Sequence, residues 1–136
     1  MKNYDLIVIG GGAGGLTVAS GAASMGAKVA LIEKEEELGG DCLHYGCVPS
    51  KALIDAAKKV HTAREGSSEL NLTLTGEVNL EKVMKRVHGA ISDIQAHDSK
   101  ERFELLGIDL YFGKGHFIDN HIVGIGNDER IEGKRI

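Results

Sequence analysis

The chain has no tryptophan, one proline and two cysteines, and aromatic residues make up only 4% of its 136 residues. Its 16 lysine and arginine residues are scattered without a basic run, and the formal net charge is −4. The shortage of aromatic side chains and of clustered basic charge argues against a nucleic-acid-binding surface. The length is sufficient for one domain with a modest core.

Residues 6–27 carry no charge and have the length of a membrane span. Seven of them are glycines, however, so a buried strand, a glycine turn and a buried helix fit the segment better. A signal peptide is not expected either, because Asp5 follows closely on Lys2 and glycines interrupt the apolar run. We therefore expect a cytoplasmic protein with no membrane partner. In such a reducing compartment, a close cysteine pair is more often catalytic or metal-binding than structural.

The first third of the chain has the pattern of a βαβ unit. Residues 4–9 form a short apolar run that glycines end, which predicts a central parallel strand. Residues 13–25 are rich in alanine, leucine and valine and stop at Gly26, so they predict a helix. Residues 28–33 predict a second buried strand, and we expect the crossover between the two strands to be right-handed.

The remaining sequence predicts two helices followed by short strands. Residues 48–64 indicate a helix, and residues 65–77 a polar loop with a possible short strand at its alternating leucines. Apolar residues recur at helical spacing from Leu80, so residues 79–105 predict a long amphipathic helix that ends at Gly107. Residues 108–113, 116–126 and 127–136 then indicate strands joined by tight turns. The predicted fold is α/β: a Rossmann-like parallel sheet with a long helix and a small antiparallel β-meander.

A glycine loop lies between the first predicted strand and helix. Gly10, Gly12 and Gly15 form a G-x-G-x-x-G pattern, in which the backbone N–H groups at a helix start can bind a pyrophosphate. Glu33, 23 positions after Gly10, ends the second strand, where a carboxylate can accept hydrogen bonds from a ribose diol. The segment predicts a dinucleotide site without separating FAD from NAD. The alternative, a glycine-rich turn that only packs, leaves Glu33 unexplained.

Both cysteines lie in the stretch GGDCLHYGCVPSK, residues 39–51. Residues five apart in a regular helix have Cα atoms about 8–9 Å apart, whereas a disulfide needs roughly 4.4–6.8 Å. A bridge between Cys42 and Cys47 therefore requires an irregular turn, which the neighbouring glycines permit: Gly39, Gly40 and Gly46. Pro49 suits the first turn of a helix, so we expect the regular helix to begin near Cys47.

The expected positions give the two thiols different chemistry. A helix start stabilises a thiolate at Cys47, to which Lys51, one turn further on, adds positive charge. Cys42 is then the attacking thiol. Two alternatives remain at this stage: a metal site of Cys42, His44 and Cys47, or two inert buried thiols.

GGDCLHYGCVP resembles the active-site signature of class I pyridine nucleotide-disulfide oxidoreductases, the family of dihydrolipoamide dehydrogenase, glutathione reductase and mercuric reductase. The glycine loop, the acid, the cysteine motif, the long helix and the strands follow in that family's order over the whole chain. Ser50 before Lys51 is more similar to dihydrolipoamide dehydrogenase and mercuric reductase. Departures are Asp41, where many members have threonine, and His44–Tyr45, where asparagine and valine are common.

The resemblance implies a flavoenzyme that binds FAD and passes electrons between NAD(P)H, flavin, a redox-active Cys42–Cys47 disulfide and a small-molecule disulfide or metal-ion substrate. It implies Cys42 as the interchange thiol, Cys47 as the thiol beside the flavin and Lys51 near the flavin's reactive nitrogen. The implied cofactor contacts are Gly10, Gly12, Gly14, Gly15, Glu33, Lys34, Gly40, Asp41, Cys42, Lys51 and Gly115. No metal ligand is implied.

Family members are much longer than this chain. We therefore expect residues 1–136 to be the N-terminal part of the FAD-binding domain, without the NAD(P) domain and the dimerisation domain. The full-length enzyme would be a homodimer, and the isolated fragment would be inactive. The alternative function is a stand-alone nucleotide-binding module without turnover.

Overall fold

The computed structural model describes residues 1–136 as seven strands and five helices. In chain order they are β1 (Lys2–Tyr4), β2 (Leu6–Ile9), α1 (Ala13–Ser24), β3 (Val29–Glu33), α2 (Gly40–His44), α3 (Cys47–Glu69), α4 (Leu80–His97), α5 (Lys100–Leu105), β4 (Ile108–Phe112), β5 (Gly115–Phe117), β6 (Ile122–Ile125) and β7 (Glu129–Gly133). The strands form two sheets, in the orders β2-β3-β4 and β1-β7-β6-β5. The predicted α/β class is confirmed.

The first sheet is parallel and begins with the predicted βαβ unit. Leu6 pairs with Val29, and Val29 pairs in turn with Ile108, so β3 is the central strand. All five residues of β3 are buried, and α1 covers the sheet through Leu16 and Ala19. The glycine loop connects β2 to α1 and therefore lies at the carboxyl end of the sheet, where open α/β sheets bind their ligands.

The predicted strand over residues 4–9 is divided at Asp5. The carboxylate of Asp5 accepts hydrogen bonds from the backbone N–H of Lys28 at 2.9 Å and from Nζ of Lys134 at 2.7 Å. Both donors are distant in the sequence, so the apolar pattern does not show that Asp5 is held here between two strands. As a result, β1 leaves the first sheet and pairs in parallel with β7 in the second. The rest of the second sheet, β5-β6-β7, is the predicted antiparallel meander.

The helices also differ from their predicted bounds. The helix predicted over residues 48–64 starts at Cys47 and continues to Glu69, and no strand forms at the leucines that follow it. The helix predicted within residues 79–105 is two helices, because the side chain of Ser99 accepts from the N–H of Arg102 and caps a new one. A cap inside a continuous periodic pattern is not visible in the spacing. None of the helices has the length and apolar character required to span a membrane.

A hydrogen-bond network, buried at its two tyrosines, joins the two sheets. The hydroxyl of Tyr4 in β1 donates to Oδ2 of Asp109 in β4 at 2.6 Å and lies 2.6 Å from the hydroxyl of Tyr111. Because Tyr4 uses its only proton on Asp109, Tyr111 donates to Tyr4. The side chain of Tyr4 is 2% exposed, and burial followed by the bonds to Asp109 and Tyr111 raises the pKa of its hydroxyl.

We expect Tyr4→Phe to lower the free energy of unfolding by about 1.5–3 kcal/mol, the usual contribution of a hydrogen bond to a charged group. The variant leaves the oxygen of Asp109 and the hydroxyl of Tyr111 without this partner. Tyr45→Phe is the matched control, since Tyr45 is 84% exposed. Equal urea midpoints for the Tyr4 variant and the unmodified chain would show that the network does not hold the sheets together.

Candidate functional site

The glycine loop exposes the start of α1. Gly12 caps the helix without a side-chain hydrogen bond, and no acidic residue lies in the first turn. The first backbone N–H groups of α1 therefore have no partner within the helix, which makes them available to an anion. Gly10 has a φ of +107°, and a Cβ added to Gly15 would collide with the carbonyl oxygen of Gly10. A Cβ on Gly14, in contrast, would meet no atom within 4 Å.

The start of α2 packs directly on this loop. The N–H of Gly39 donates to the carbonyl of Gly11 at 2.8 Å. Gly40 has a φ of +61°, and a Cβ there would lie 2.7 Å from the Cα of Gly12. The two motifs found in the sequence are thus in backbone contact. No residue spacing predicts this contact, because it depends on how two separate turns fold against one sheet edge.

Glu33 fixes the loop from the other side. Its carboxylate is buried at the end of β3, where Oε2 accepts from the N–H of Gly11 at 2.6 Å and Oε1 accepts from the N–H of Glu35 at 2.8 Å. The sequence predicts a ribose acceptor here, and the structure adds that the same carboxylate holds the glycine loop. A sequence pattern pairs the acid with the loop but does not show that they are bonded.

A polar groove of about 610 Å³ lies beside this carboxylate. Its lining residues are Glu33, Lys34, Glu35, Glu36, Glu37, Gly40, Asp41, His44 and Tyr45. Lys34 is exposed and forms an ion pair with Glu35 at 3.4 Å, and Asp41 lies in the first turn of α2. Four of the predicted cofactor contacts therefore line one groove next to the glycine loop.

The two cysteines are free thiols at the junction of α2 and α3. Cys42 is half-buried in α2, and Cys47 is exposed as the first residue of α3, where the sequence predicts the regular helix to begin. A hydrogen bond with the Cys47 side chain, followed by burial, raises the pKa of Cys42, while the positive charge of Lys51 lowers it in part. The thiols are thus close enough to interact and have different surroundings.

A second groove, of about 570 Å³, lies between α3 and α4 and contains both thiols. Its lining residues are Cys42, Cys47, Val48, Lys51, Ala52, Asp55, Arg86, Ala90 and Ile94. Arg86 of α4 bonds to Asp55 of α3 at 2.7 Å, and Asp55 also accepts from Lys59. These bonds lower the pKa of Asp55, first through Lys59 and then through Arg86. Asp55 and Arg86 are not identifiable from the sequence patterns, because helical periodicity marks apolar residues only.

The remaining predicted residues are placed as follows. Gly115 starts β5, and a Cβ there would lie 3.2 Å from the side chain of Ile32 and 3.3 Å from that of Ile9, at the carboxyl ends of β3 and β2. Nε2 of His44 lies 3.1 Å from the carbonyl oxygen of Leu38. The structure groups no three histidine, cysteine or acidic side chains in a way that would hold a metal ion.

The sequence and the fold match one family of redox enzymes. A profile described as "Pyridine nucleotide-disulphide oxidoreductase" matches residues 4–136. Dihydrolipoyl dehydrogenase of Bacillus subtilis (strain 168) is 42% identical over 115 residues, which are 85% of this chain and 24% of that protein. Dihydrolipoyl dehydrogenase of Acholeplasma laidlawii is 34% identical over 99% of this chain and 40% of that protein. Mercuric reductase of Lysinibacillus sphaericus is 32% identical over 98% and 24%, respectively.

A solved structure supports the match. It is a Cu(II) complex of a cysteine-to-serine mutant of the HOCl-induced flavoprotein disulfide reductase RclA from Escherichia coli, with a TM-score of 0.74 and 25% identity over 98% of this chain and 27% of that one. The chain spans between 24% and 40% of the length of the curated relatives described above. From the profile match and the shared identity, the chain belongs to the pyridine nucleotide-disulphide oxidoreductase family.

Proposed function

We propose that residues 1–136 form the flavin and disulfide portion of an FAD-dependent disulfide oxidoreductase. The observation that carries this proposal is the backbone contact between Gly12 and Gly40. It joins the start of α1, which suits a pyrophosphate, to α2, which carries Cys42. A nucleotide bound at the loop and a thiol pair used in redox chemistry would thus belong to one rigid unit.

The residues around the loop fit a dinucleotide. The free N–H groups of α1 would hold the pyrophosphate of FAD, and the groove beside Glu33 would take the ribose. A Cβ at Gly15 or Gly40 would disturb the backbone of this cradle. Lys51 and Cys47, at the start of α3, would lie beside the flavin ring, as the family resemblance implies. When bound, the flavin supplies electron transfer between NAD(P)H and the cysteine pair.

The thiols themselves perform the exchange with substrate. The thiolate of Cys42 attacks one sulfur of a substrate disulfide, the substrate S–S bond breaks, and the released thiolate takes up a proton. The thiolate of Cys47 then attacks the sulfur of Cys42, which releases the second substrate thiol and forms the Cys42–Cys47 disulfide. The substrate gains two electrons and two protons, and the dithiol loses them. The positive charge of Lys51 lowers the pKa of Cys42 in part, which favours the thiolate that the first step needs.

The groove indicates the class of acceptor. Its walls are apolar at Val48, Ala52, Ala90 and Ile94, and the guanidinium of Arg86 at its rim is already paired with Asp55. A small disulfide on an apolar arm, such as lipoamide, fits this lining better than a highly charged one. A soft metal ion is the second candidate, because two interacting thiols, one of them exposed, are suitable ligands.

Single-turnover exchange tests the proposed function. Reduced chain is mixed with oxidised lipoamide, and free thiols and cysteine pairing are followed by alkylation and peptide mass spectrometry. We expect one Cys42–Cys47 disulfide for each lipoamide reduced, without steady NAD(P)H oxidation by residues 1–136 alone. A nucleotide-binding module without turnover would bind FAD but leave both thiols reduced, and that result would reject the redox assignment.

Glu33→Gln is expected to weaken FAD binding by roughly tenfold or more, the equivalent of losing a charge-assisted hydrogen bond. The amide can accept through one oxygen only, so either Gly11 or Glu35 loses its acceptor and the loop loses its anchor. Glu36→Gln is the matched control, because Glu36 is an exposed carboxylate on the same groove. Titration calorimetry with FAD measures the difference, and equal weakening by both variants would assign the effect to charge alone.

A further inference from the structure

One peptide group ahead of α2 is held at both of its ends. The carbonyl oxygen of Leu38 accepts from Nε2 of Gln95 at 3.1 Å and lies 3.1 Å from Nε2 of His44. The N–H of the same peptide group, on Gly39, donates to the carbonyl of Gly11. The side chain of Leu38 is 2% exposed. The orientation of this peptide plane is therefore fixed from the glycine loop, from α2 and from α4.

The backbone around this peptide would otherwise be free to turn. Gly39 and Gly40 have φ values of +117° and +61°, and α2 contains only five residues, with Cys42 as its third. A helix of this length is not stable without contacts to its neighbours, so its orientation depends on those contacts. A rotation of the preceding peptide would therefore move Cys42 relative to Cys47, which belongs to a different helix.

The side chain of Gln95 is oriented by this one bond. Its Oε1 is buried and has no hydrogen-bond partner. The reverse orientation of the amide would place that oxygen against the carbonyl oxygen of Leu38, which is unfavourable for two acceptors. A buried acceptor without a partner costs free energy that an apolar side chain of the same size would avoid. The feature that distinguishes Gln95 from an apolar residue of the same size is therefore the N–H donor that it offers to the carbonyl of Leu38.

We propose that Gln95 is a positioning residue for Cys42, which acts from α4 through the carbonyl of Leu38, with His44 as the second donor. The proposal rests on the proposed function, in which Cys42 and Cys47 must meet to form a disulfide. Gln95 follows Ile94, which lines the second groove. The hydrogen bond from Gln95 to Leu38 therefore links the position of Cys42 to the α4 wall of that groove. The sequence patterns assign no role to Gln95, and they include His44 only in the alternative metal site and as a departure from the family motif.

Ring closure between the thiols tests the proposal without flavin or substrate. One of the two thiols of the reduced chain attacks 2,2′-dipyridyl disulfide, supplied at one equivalent, and releases one thiopyridone. The other thiol then attacks the mixed disulfide, releases the second thiopyridone and forms the Cys42–Cys47 disulfide. The rate of the second release reports how well the two sulfurs are placed, and we expect Gln95→Met to slow it by roughly tenfold or more.

Two further variants separate positioning from stability. Val87→Ala removes part of a fully buried side chain of α4 and lowers stability while it leaves Gln95, the donor to Leu38, in place, so its closure rate should equal that of the unmodified chain. The closure rate of Gln95→Glu is compared with that of the unmodified chain at the same pH. It should be lower where the introduced carboxylate is ionised, and equal at acidic pH, where the protonated acid can donate to the carbonyl of Leu38. The proposal would be overturned if Gln95→Met closed at the rate of the unmodified chain, or if Val87→Ala closed as slowly as Gln95→Met. It would also be overturned if acidic pH did not restore the relative closure rate of Gln95→Glu. Absence of a second release from the unmodified chain would instead reject the proposed function.

Discussion

Replacing Gly15 with alanine is expected to abolish measurable FAD binding and to lower the free energy of unfolding by about 1–3 kcal/mol or more, the range for overpacked sites. The added Cβ would collide with the carbonyl oxygen of Gly10, which is backbone and has no alternative rotamer. The loop must then move away from β2, and the N–H groups of α1 lose their common direction. Gly40→Ala should have the same effect, because its Cβ would meet the Cα of Gly12.

Gly21 of α1 provides a matched control. A Cβ on Gly21 would meet no atom within 4 Å, although the residue lies in the same helix as Gly15. Alanine at Gly21 should stabilise the chain by about 0.5–1 kcal/mol through helix propensity and should leave FAD binding in place. Urea unfolding and FAD titration of the three variants measure these effects, and loss of FAD binding in Gly21→Ala with retention in Gly15→Ala would contradict the prediction.

Alkylation of Cys42 by iodoacetamide is expected to have its pH midpoint above that of an ordinary cysteine, since the hydrogen bond with Cys47 raises the pKa of Cys42. The thiolate reacts, so raising the pKa moves the midpoint to higher pH. Cys47→Ala removes the largest cause and should move the midpoint down. Lys51→Met removes a positive charge that lowers the pKa and should move it up.

The control for these shifts is Lys59→Met. Lys59 is also a lysine of α3, but its charge is paired with Asp55, and it is not among the groups that perturb Cys42. Rates are read by peptide mass spectrometry, so that Cys42 is followed separately from Cys47. An unchanged midpoint in Cys47→Ala would show that the two thiols do not interact.

The elements of the site could be predicted where a residue type determines a local conformation. Glycines at fixed spacing between an apolar run and a helix predicted the loop after β2, and Pro49 predicted a helix that begins near Cys47. Both predictions follow from backbone preferences that neighbouring residues decide. The meander was predictable for the same reason, because turns separate its short apolar runs.

The contacts between these elements could not be predicted in this way. The packing of Gly40 on Gly12 and the bond from Gln95 to Leu38 join residues that are far apart in the chain. Asp5 and Ser99 divided elements that the apolar pattern treats as continuous, because each side chain satisfies backbone donors that the pattern does not represent. Except for the Ser99 cap, which is local, these are interactions of tertiary structure, and a single sequence records the residues without their partners.

The central claim is that a bound flavin and the Cys42–Cys47 pair form one site with unequal thiols. The most direct measurement is the absorption spectrum of the FAD-loaded protein during reduction, in the unmodified protein and in each single cysteine-to-serine variant. A long-wavelength band should appear when the pair is reduced, persist in Cys42→Ser and be absent in Cys47→Ser. A band that depends on Cys42, or the absence of any band in FAD-loaded reduced protein, would contradict the account.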